Sequence, residues 1–266
     1  MTALRLTPVL AFGSRRALRM IERNLLVYKH GWLVLFSGFF EPLFYLLSIG
    51  FGLGRLVGDV AGPGGQPIPY ALFVAPALLA ASAMNGAITE STFNFFFKLN
   101  YDKTFASILT TPMSPADISL GELAWALIRG GLYTIGFLAV MVPFGLVRSP
   151  LVLLTLPGAL LIGFAFAAVG MAATSFMRTW QDFDLIQLVI LPMFLFSGTF
   201  FPLDSFPEGA RILIQLTPLY QGVDLLRTLA VGVVGPDTLV HIAYLTIMGL
   251  LGLAVVSRRL DKLLLK

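Results

Sequence analysis

Six long apolar runs separated by short polar stretches set the pattern of this chain: 31–53, 70–97, 120–147, 151–176, 183–201 and 239–257. Each exceeds the roughly 18 apolar residues that mark a membrane-spanning helix, and the short alternating strands of a barrel are missing. The pattern predicts an all-α integral membrane protein with six transmembrane helices. The most informative polar stretch, KLNYDKTFASILTTPMSPADISLGE from Lys98 to Glu122, lies between two of these runs and so belongs at the membrane surface. Asn100 or Asp102 can cap a short helix there, with Tyr101, Phe105, Ile108 and Leu109 on one face and Lys103, Ser107 and Thr110 on another. Pro112 ends that helix and pushes Thr111 toward extended geometry. Ser114 as N-cap, Pro115 at the first helical position and Asp117 three residues after the cap start the next. A capped amphipathic helix on a surface loop points to a second protein that receives its apolar face; the lipid headgroups are the alternative place for that face.

Ahead of the first run, 1–30 reads as a basic amphipathic helix lying on the membrane surface: Arg15, Arg19 and Arg23 recur every four residues, and Leu18, Ile21 and Leu25 form another face. The linker GRLVGDVAGPGGQPIP after the first run is too rich in glycine and proline for regular structure, and no strand precedes its glycines to make a phosphate cradle. Beyond the fifth run, Pro207–Gln215 and Pro218–Val231 read as two short helices, each opened by proline. A seventh span there would carry Asp224 and Arg227 through the bilayer, so a re-entrant or interfacial hairpin over 202–238 is the expectation. The organisation is thus 1–30, a single transmembrane domain over 31–258 with a surface loop at 98–119, and a basic tail at 259–266.

Charge then orients the chain. Of its eighteen lysines and arginines, thirteen fall on one side: six before the first span, Lys98, Lys103 and Arg178 in two loops, and four after the last span. Arg55, Arg148, Arg211 and Arg227 fall on the other, and Arg129 is inside a span. The positive-inside rule puts both termini and the Lys98–Glu122 loop in the cytoplasm. A net charge of +4 distributed in this way suggests no nucleic acid as a partner. With no cysteine, disulfides and thiolate metal sites are excluded. The amino-terminal segment reads as a retained span, because its apolar run is too long for a cleaved leader and no small-residue cleavage site follows.

Ionisable residues inside spans are Glu41, followed by Pro42, then Glu90 with Asn85 and Thr89 near it, and Glu122 and Arg129, which share one helical face with Trp125. Each is costly in hydrocarbon unless paired. Glu122 and Arg129 are two turns apart and need an intermediary, which leaves Glu90 as the alternative partner for Arg129. There is no H-E-x-x-H, no G-x-S-x-G and no P-loop, so no catalytic or metal-ligating set is expected. An intramembrane enzyme using Glu41, Glu90 and Glu122, or a membrane scaffold, remain the rival readings.

The loop YDKTFASILTTPMSPADISLGE, the stretch SGTFFPLD at Ser197–Asp204, LTPLYQGVDLLR at Leu216–Arg227 and the basic end together resemble the permease subunits of ABC type-2 exporters, in particular the nodulation-type lipo-oligosaccharide and drug exporters. The resemblance runs over essentially the whole chain. It implies two permease copies, most simply a homodimer, and two cytoplasmic ABC ATPase subunits in a bacterial inner membrane. ATP and Mg would sit on the partner ATPase, with no cofactor in this chain. By the same resemblance, coupling to the ATPase falls to Tyr101, Asp102, Lys103, Thr104, Phe105, Ile108, Leu109, Thr111, Pro112, Ser114 and Pro115. Arg15, Arg16, Arg19 and Arg23 become the interface helix. Ser197, Gly198, Phe200, Phe201, Pro202, Asp204, Pro218, Asp224 and Arg227 become the outer gate and hairpin. Phe93, Phe95, Phe96, Phe194 and Phe196 offer an aromatic pathway suited to a hydrophobic drug, glycolipid or lipid-linked saccharide.

Overall fold

A run of alanines and leucines with few large polar residues lets one helix be packed on every side, and the run that begins at Tyr70 becomes the axis of the molecule. The computed structural model describes residues 15–29, 40 and 42–264; Glu41 and residues 31–39 of the first predicted span lie outside the described residues. In chain order the helices are α1 (Arg15–Tyr28), α2 (Pro42–Val57), α3 (Tyr70–Tyr101), α4 (Thr104–Ile108), α5 (Pro115–Met141), α6 (Pro150–Thr174), α7 (Phe183–Leu195), α8 (Glu208–Gln215), α9 (Pro218–Val231) and α10 (Asp237–Leu264). Among the described residues four of these, α3, α5, α6 and α10, are long and apolar enough to cross a membrane. The apolar window of α3 is 83% buried and that of α10 33%, which separates the central helix from the peripheral one.

Glycines set how closely the helices approach. A Cβ on Gly252 of α10 would come within 2.7 Å of the backbone of Ala168 on α6, and one on Gly158 would meet Leu226 of α9 at 2.7 Å. Small residues of α6, Gly158 and Ala168 among them, thus allow this close packing.

Several expectations are corrected. The Gly/Pro linker is not wholly irregular: β1 (Asp59–Ala61) and β2 (Pro67–Pro69) pair antiparallel with Val60 opposite Ile68. Gly64 (φ 73°) and Gly65 (φ 75°) close that ribbon, and its prolines are tolerated because a two-stranded ribbon consists only of edges. The fifth run is helical only over the 13 residues of α7, about 20 Å, since it stops three residues after Pro192. Residues 196–201 are irregular, with Gly198 at φ 70°. Apart from these corrections, α10 runs on through the basic stretch that begins at 259 as far as Leu264. Arg259 donates to the Ser175 carbonyl at 3.1 Å and stacks its guanidinium 4.2 Å from the Phe176 ring, which ties the end of α10 to α6.

Candidate functional site

The surface loop is built by a change of helical winding. α3 passes into π-helical turns at Glu90–Asn94 and Phe97–Tyr101, and the Asp102 amide bonds back to the Phe97 carbonyl at 2.9 Å. Lys103, at φ 50°, then breaks the direction and occupies the N-cap of α4, so neither Asn100 nor Asp102 caps it. Ser114, Pro115 and Asp117 do form the predicted start of α5. The Asp117 amide donates to Ser114 Oγ at 3.2 Å and the Ser114 amide to Asp117 Oδ2 at 2.9 Å.

The expected display of Phe105 is corrected. Phe105 is fully buried, its ring 5.0 Å from that of Phe95, and it anchors the loop to the end of α3 instead of meeting another protein. Tyr101, 57% exposed, with Asp102, Lys103, Thr111 and Pro112, forms the outer edge, while Thr104, Ile108 and Leu109 are half-buried and Pro115 is buried.

Directly behind this loop lies a cluster of buried charges. Arg129 Nη1 is 2.7 Å from Glu90, the pairing that two-turn spacing from Glu122 left as the alternative. Glu122 pairs with Lys98 at 2.6 Å, and the same ammonium lies 3.5 Å from Glu90. Two acids and two bases thus balance with the carboxylates almost fully buried. Sequence reasoning counted Lys98 only as a loop charge. It also missed the neutral partners: Asn24 donates to Glu122 at 3.4 Å, Asn94 to Glu90 at 2.8 Å and to the Tyr28 hydroxyl at 3.2 Å, and Arg129 Nε to Tyr133 at 2.8 Å. Burial, aided by the Glu90 carboxylate, pushes the Tyr28 phenol up to about 12, so it serves as a neutral partner. Its ring stacks on Trp125 at 5.4 Å. The signal available in the sequence was Asn94 one turn after Glu90.

Through Met20, Asn24 and Tyr28, α1 is docked on α5 beside that cluster, while Leu18, Leu25 and Leu26 stay exposed. Of the expected interface residues, Arg16 and Arg19 are exposed, Arg23 is half-buried, Arg19 pairs with Glu22 at 2.7 Å, and the Arg15 side chain lies outside the described residues.

At the other end, the structure joins two predicted residues. Arg227, buried in α9, donates to the carbonyls of Gly198 at 2.7 Å and Phe73 at 3.2 Å, its guanidinium 3.8 Å from the Phe73 ring centroid. Buried Ser197 and Thr199 share a hydrogen bond at 2.7 Å, and the Phe200 carbonyl accepts from the Tyr70 hydroxyl at 3.1 Å, so side chains within the protein hold part of the irregular SGTFF stretch. Phe200 is buried, Phe201 and Asp204 are exposed, and Pro202, Pro218 and Asp224 are half-buried. Asp224 holds His241 Nε2 at 3.1 Å, and His241 Nδ1 meets Gln221 at 2.5 Å, contacts that no sequence motif announced. Of the expected aromatic pathway, Phe95 and Phe96 are fully buried packing residues, whereas Phe93 and Phe196 are exposed and Phe194 is half-buried.

A family model described as ABC-2 type transporter matches residues 16–230. The chain belongs to that family. It is similar to Nodulation protein J of Rhizobium leguminosarum bv. trifolii, 33% identical over 254 residues that cover 93% of this chain and 95% of the relative. Nodulation protein J of Rhizobium leguminosarum bv. viciae is 32% identical over 93% of this chain and 96% of its own length, and that of Neorhizobium galegae 27% over 96% and 98%. As an ABC-2 membrane subunit the chain is a multi-pass membrane protein whose part is transport, and the family implies partnership with an ABC ATPase. The ABC-2 match takes in α1, the loop and the buried charges together.

Proposed function

We propose that this chain is the permease subunit of an ATP-driven exporter that moves an amphiphilic or lipid-linked molecule, such as a lipo-oligosaccharide, glycolipid or hydrophobic drug, out of the cytoplasm or inner leaflet of a bacterial inner membrane. It works as a homodimer with two ABC ATPases that carry the ATP and Mg. Six spans with α1 as the interface helix leave both termini and the loop cytoplasmic, and α8 and α9 form the outward-side hairpin. The carrying observation is the rigid connection of the exposed Tyr101–Lys103 edge, through Lys98, to the ion pairs between α3 and α5. Closure of the ATPases pushes on that edge, and the paired helices shift as a body. The enzyme reading loses support because Glu90 and Glu122 are held in ion pairs.

Purification from native membranes in mild detergent tests the proposal. An ABC ATPase recovered in equal stoichiometry, with ATP hydrolysis in the eluate, is the expected result. Recovery of this chain alone in several detergents would overturn it.

A further inference from the structure

Between α6 and α10 runs a groove of about 500 Å³, walled by Val169, Ala172, Tyr244, Met248, Leu251 and Val255. Leu251 and Val255 are exposed, so the groove opens sideways from the bundle. From Tyr244 to Val255 the helix α10 rises by about 16 Å, roughly half the hydrocarbon thickness of a bilayer. The lining positions recur every three and four residues, and the next in that series are Arg258, Arg259 and Lys262. Groove and basic side chains therefore share one face of α10, and Asp261 falls off that face by the same spacing. Arg259 is taken up by the Ser175 carbonyl and the Phe176 ring, which closes the basic end of the groove. Arg258 and Lys262 are exposed and one turn apart, and among the described residues neither has an ion pair. Exposed Trp180 follows in the turn after α6, a residue type enriched at the level of lipid headgroups.

We propose that this groove seats one anionic phospholipid, held as part of the folded protein and not as its cargo. One acyl chain lies between α6 and α10, and the phosphodiester is taken by Arg258 and Lys262. Resting on the orientation proposed above, that lipid comes from the cytoplasmic leaflet. Three features select this occupant. The apolar length matches a single leaflet. Unpaired cations at one end of an apolar groove complement an amphiphile whose head is negative, and a zwitterionic head would bring its own cation to them. A second copy of the chain fits the face poorly. Two copies inserted in the same orientation meet at equal depth, so a two-fold contact here would set Arg258 and Lys262 of one copy against the same residues of the other.

The test uses the full chain in nanodiscs of neutral lipid without ATP and two trace phospholipids that carry the same diazirine acyl chain, one phosphatidylglycerol and one phosphatidylcholine. One basic residue favours an anionic lipid about fivefold, so the pair predicts labelling of α6 and α10 peptides about 25-fold stronger for phosphatidylglycerol. Arg258→Gln with Lys262→Gln should melt as wild type and bring the two probes to the same level, whereas Arg258→Lys with Lys262→Arg should keep the preference. Leu251→Trp, which fills the groove, should reduce both probes. Equal labelling of wild type by the two lipids, an undiminished preference in the glutamine variant, or labelling confined to other helices would each overturn the site. So would displacement of phosphatidylglycerol by inorganic phosphate at constant ionic strength, which would assign the cations to a soluble anion. A Leu251→Cys disulfide between copies would give the groove to a second subunit and overturn it too. Nanodiscs present the same lipids on both faces and no ATPase enters the readout, so failure of the orientation or of the transport reading is a separate result from failure of this site.

Discussion

The Lys98 ammonium lies 2.6 Å from the Glu122 carboxylate, and only 13% and 2% of the two side chains is exposed. Lys98→Met leaves that carboxylate with the Asn24 amide alone, at 3.4 Å. Breaking a buried pair from one side costs about 3–5 kcal/mol, so the thermal midpoint in detergent should drop sharply. Replacing both partners, as Lys98→Met with Glu122→Leu, should restore most of it. An unchanged midpoint for Lys98→Met alone would mean that water or headgroups already satisfy Glu122.

Phe105 and Tyr101 should separate stability from docking. Phe105→Ala removes a ring packed on Phe95 and should cost about 3–5 kcal/mol, visible as lower yield and early melting. Tyr101→Ala with Lys103→Glu changes only exposed groups and should melt as wild type while recovering less ATPase. Full ATPase recovery by that variant would remove the exposed edge from the contact.

Two glycines on α10 should respond differently to the same methyl group. At Gly252 an added Cβ meets the Ala168 backbone, which cannot move without α6, whereas at Gly249 it meets the ring of Phe164. Gly252→Ala should therefore lose about 1–3 kcal/mol and Gly249→Ala distinctly less, by denaturation in mixed micelles. Equal losses would show that α10 shifts as a body.

The turn between α6 and α7 carries a pH dependence of known sign. The backbone amides of Arg178 and Thr179, at 2.8 and 3.1 Å, hold the Asp182 carboxyl below the usual range. A lowered folded-state value means that the stabilisation is present above the unfolded value of about 4 and is lost as pH falls through the folded one. Asp182→Ala at pH 7 should speed hydrogen exchange at residues 178 and 179, an increase that wild type should show only in acid after correction for intrinsic rates.

Much of the architecture was legible because it follows from local rules. Ser114, Pro115 and Asp117 start α5 by side-chain geometry within one turn, Pro218 opens α9, and Gly232, at φ 88°, ends it. The partner of Arg129 could be narrowed to Glu90 because a buried charge needs an opposite one. Helical periodicity grouped Phe105 with Tyr101 yet could not say that the ring turns inward, since that depends on Phe95 ten residues back on a different helix. Lys98 escaped for a related reason: the π turns around it abandon the 3.6-residue period on which spacing arguments rest. Hydropathy counted residues 196–201 as span because it reads composition, whereas Gly198, at positive φ and with its carbonyl held by Arg227, sets the conformation there.

The crossed pairs also constrain how the chain is made. α3 brings Glu90 and Lys98, α5 brings Glu122 and Arg129, and the nearer partner of each lies on the other helix. Delivered singly to a bilayer, each helix would carry two charges with a partition cost of about 2.5–3.5 kcal/mol apiece at its centre. Delivered as a hairpin across the short 102–114 connection, the two are electrically neutral along their shared face. Inserting α3 and α5 as a pair thus avoids a desolvation cost that inserting either helix alone would carry.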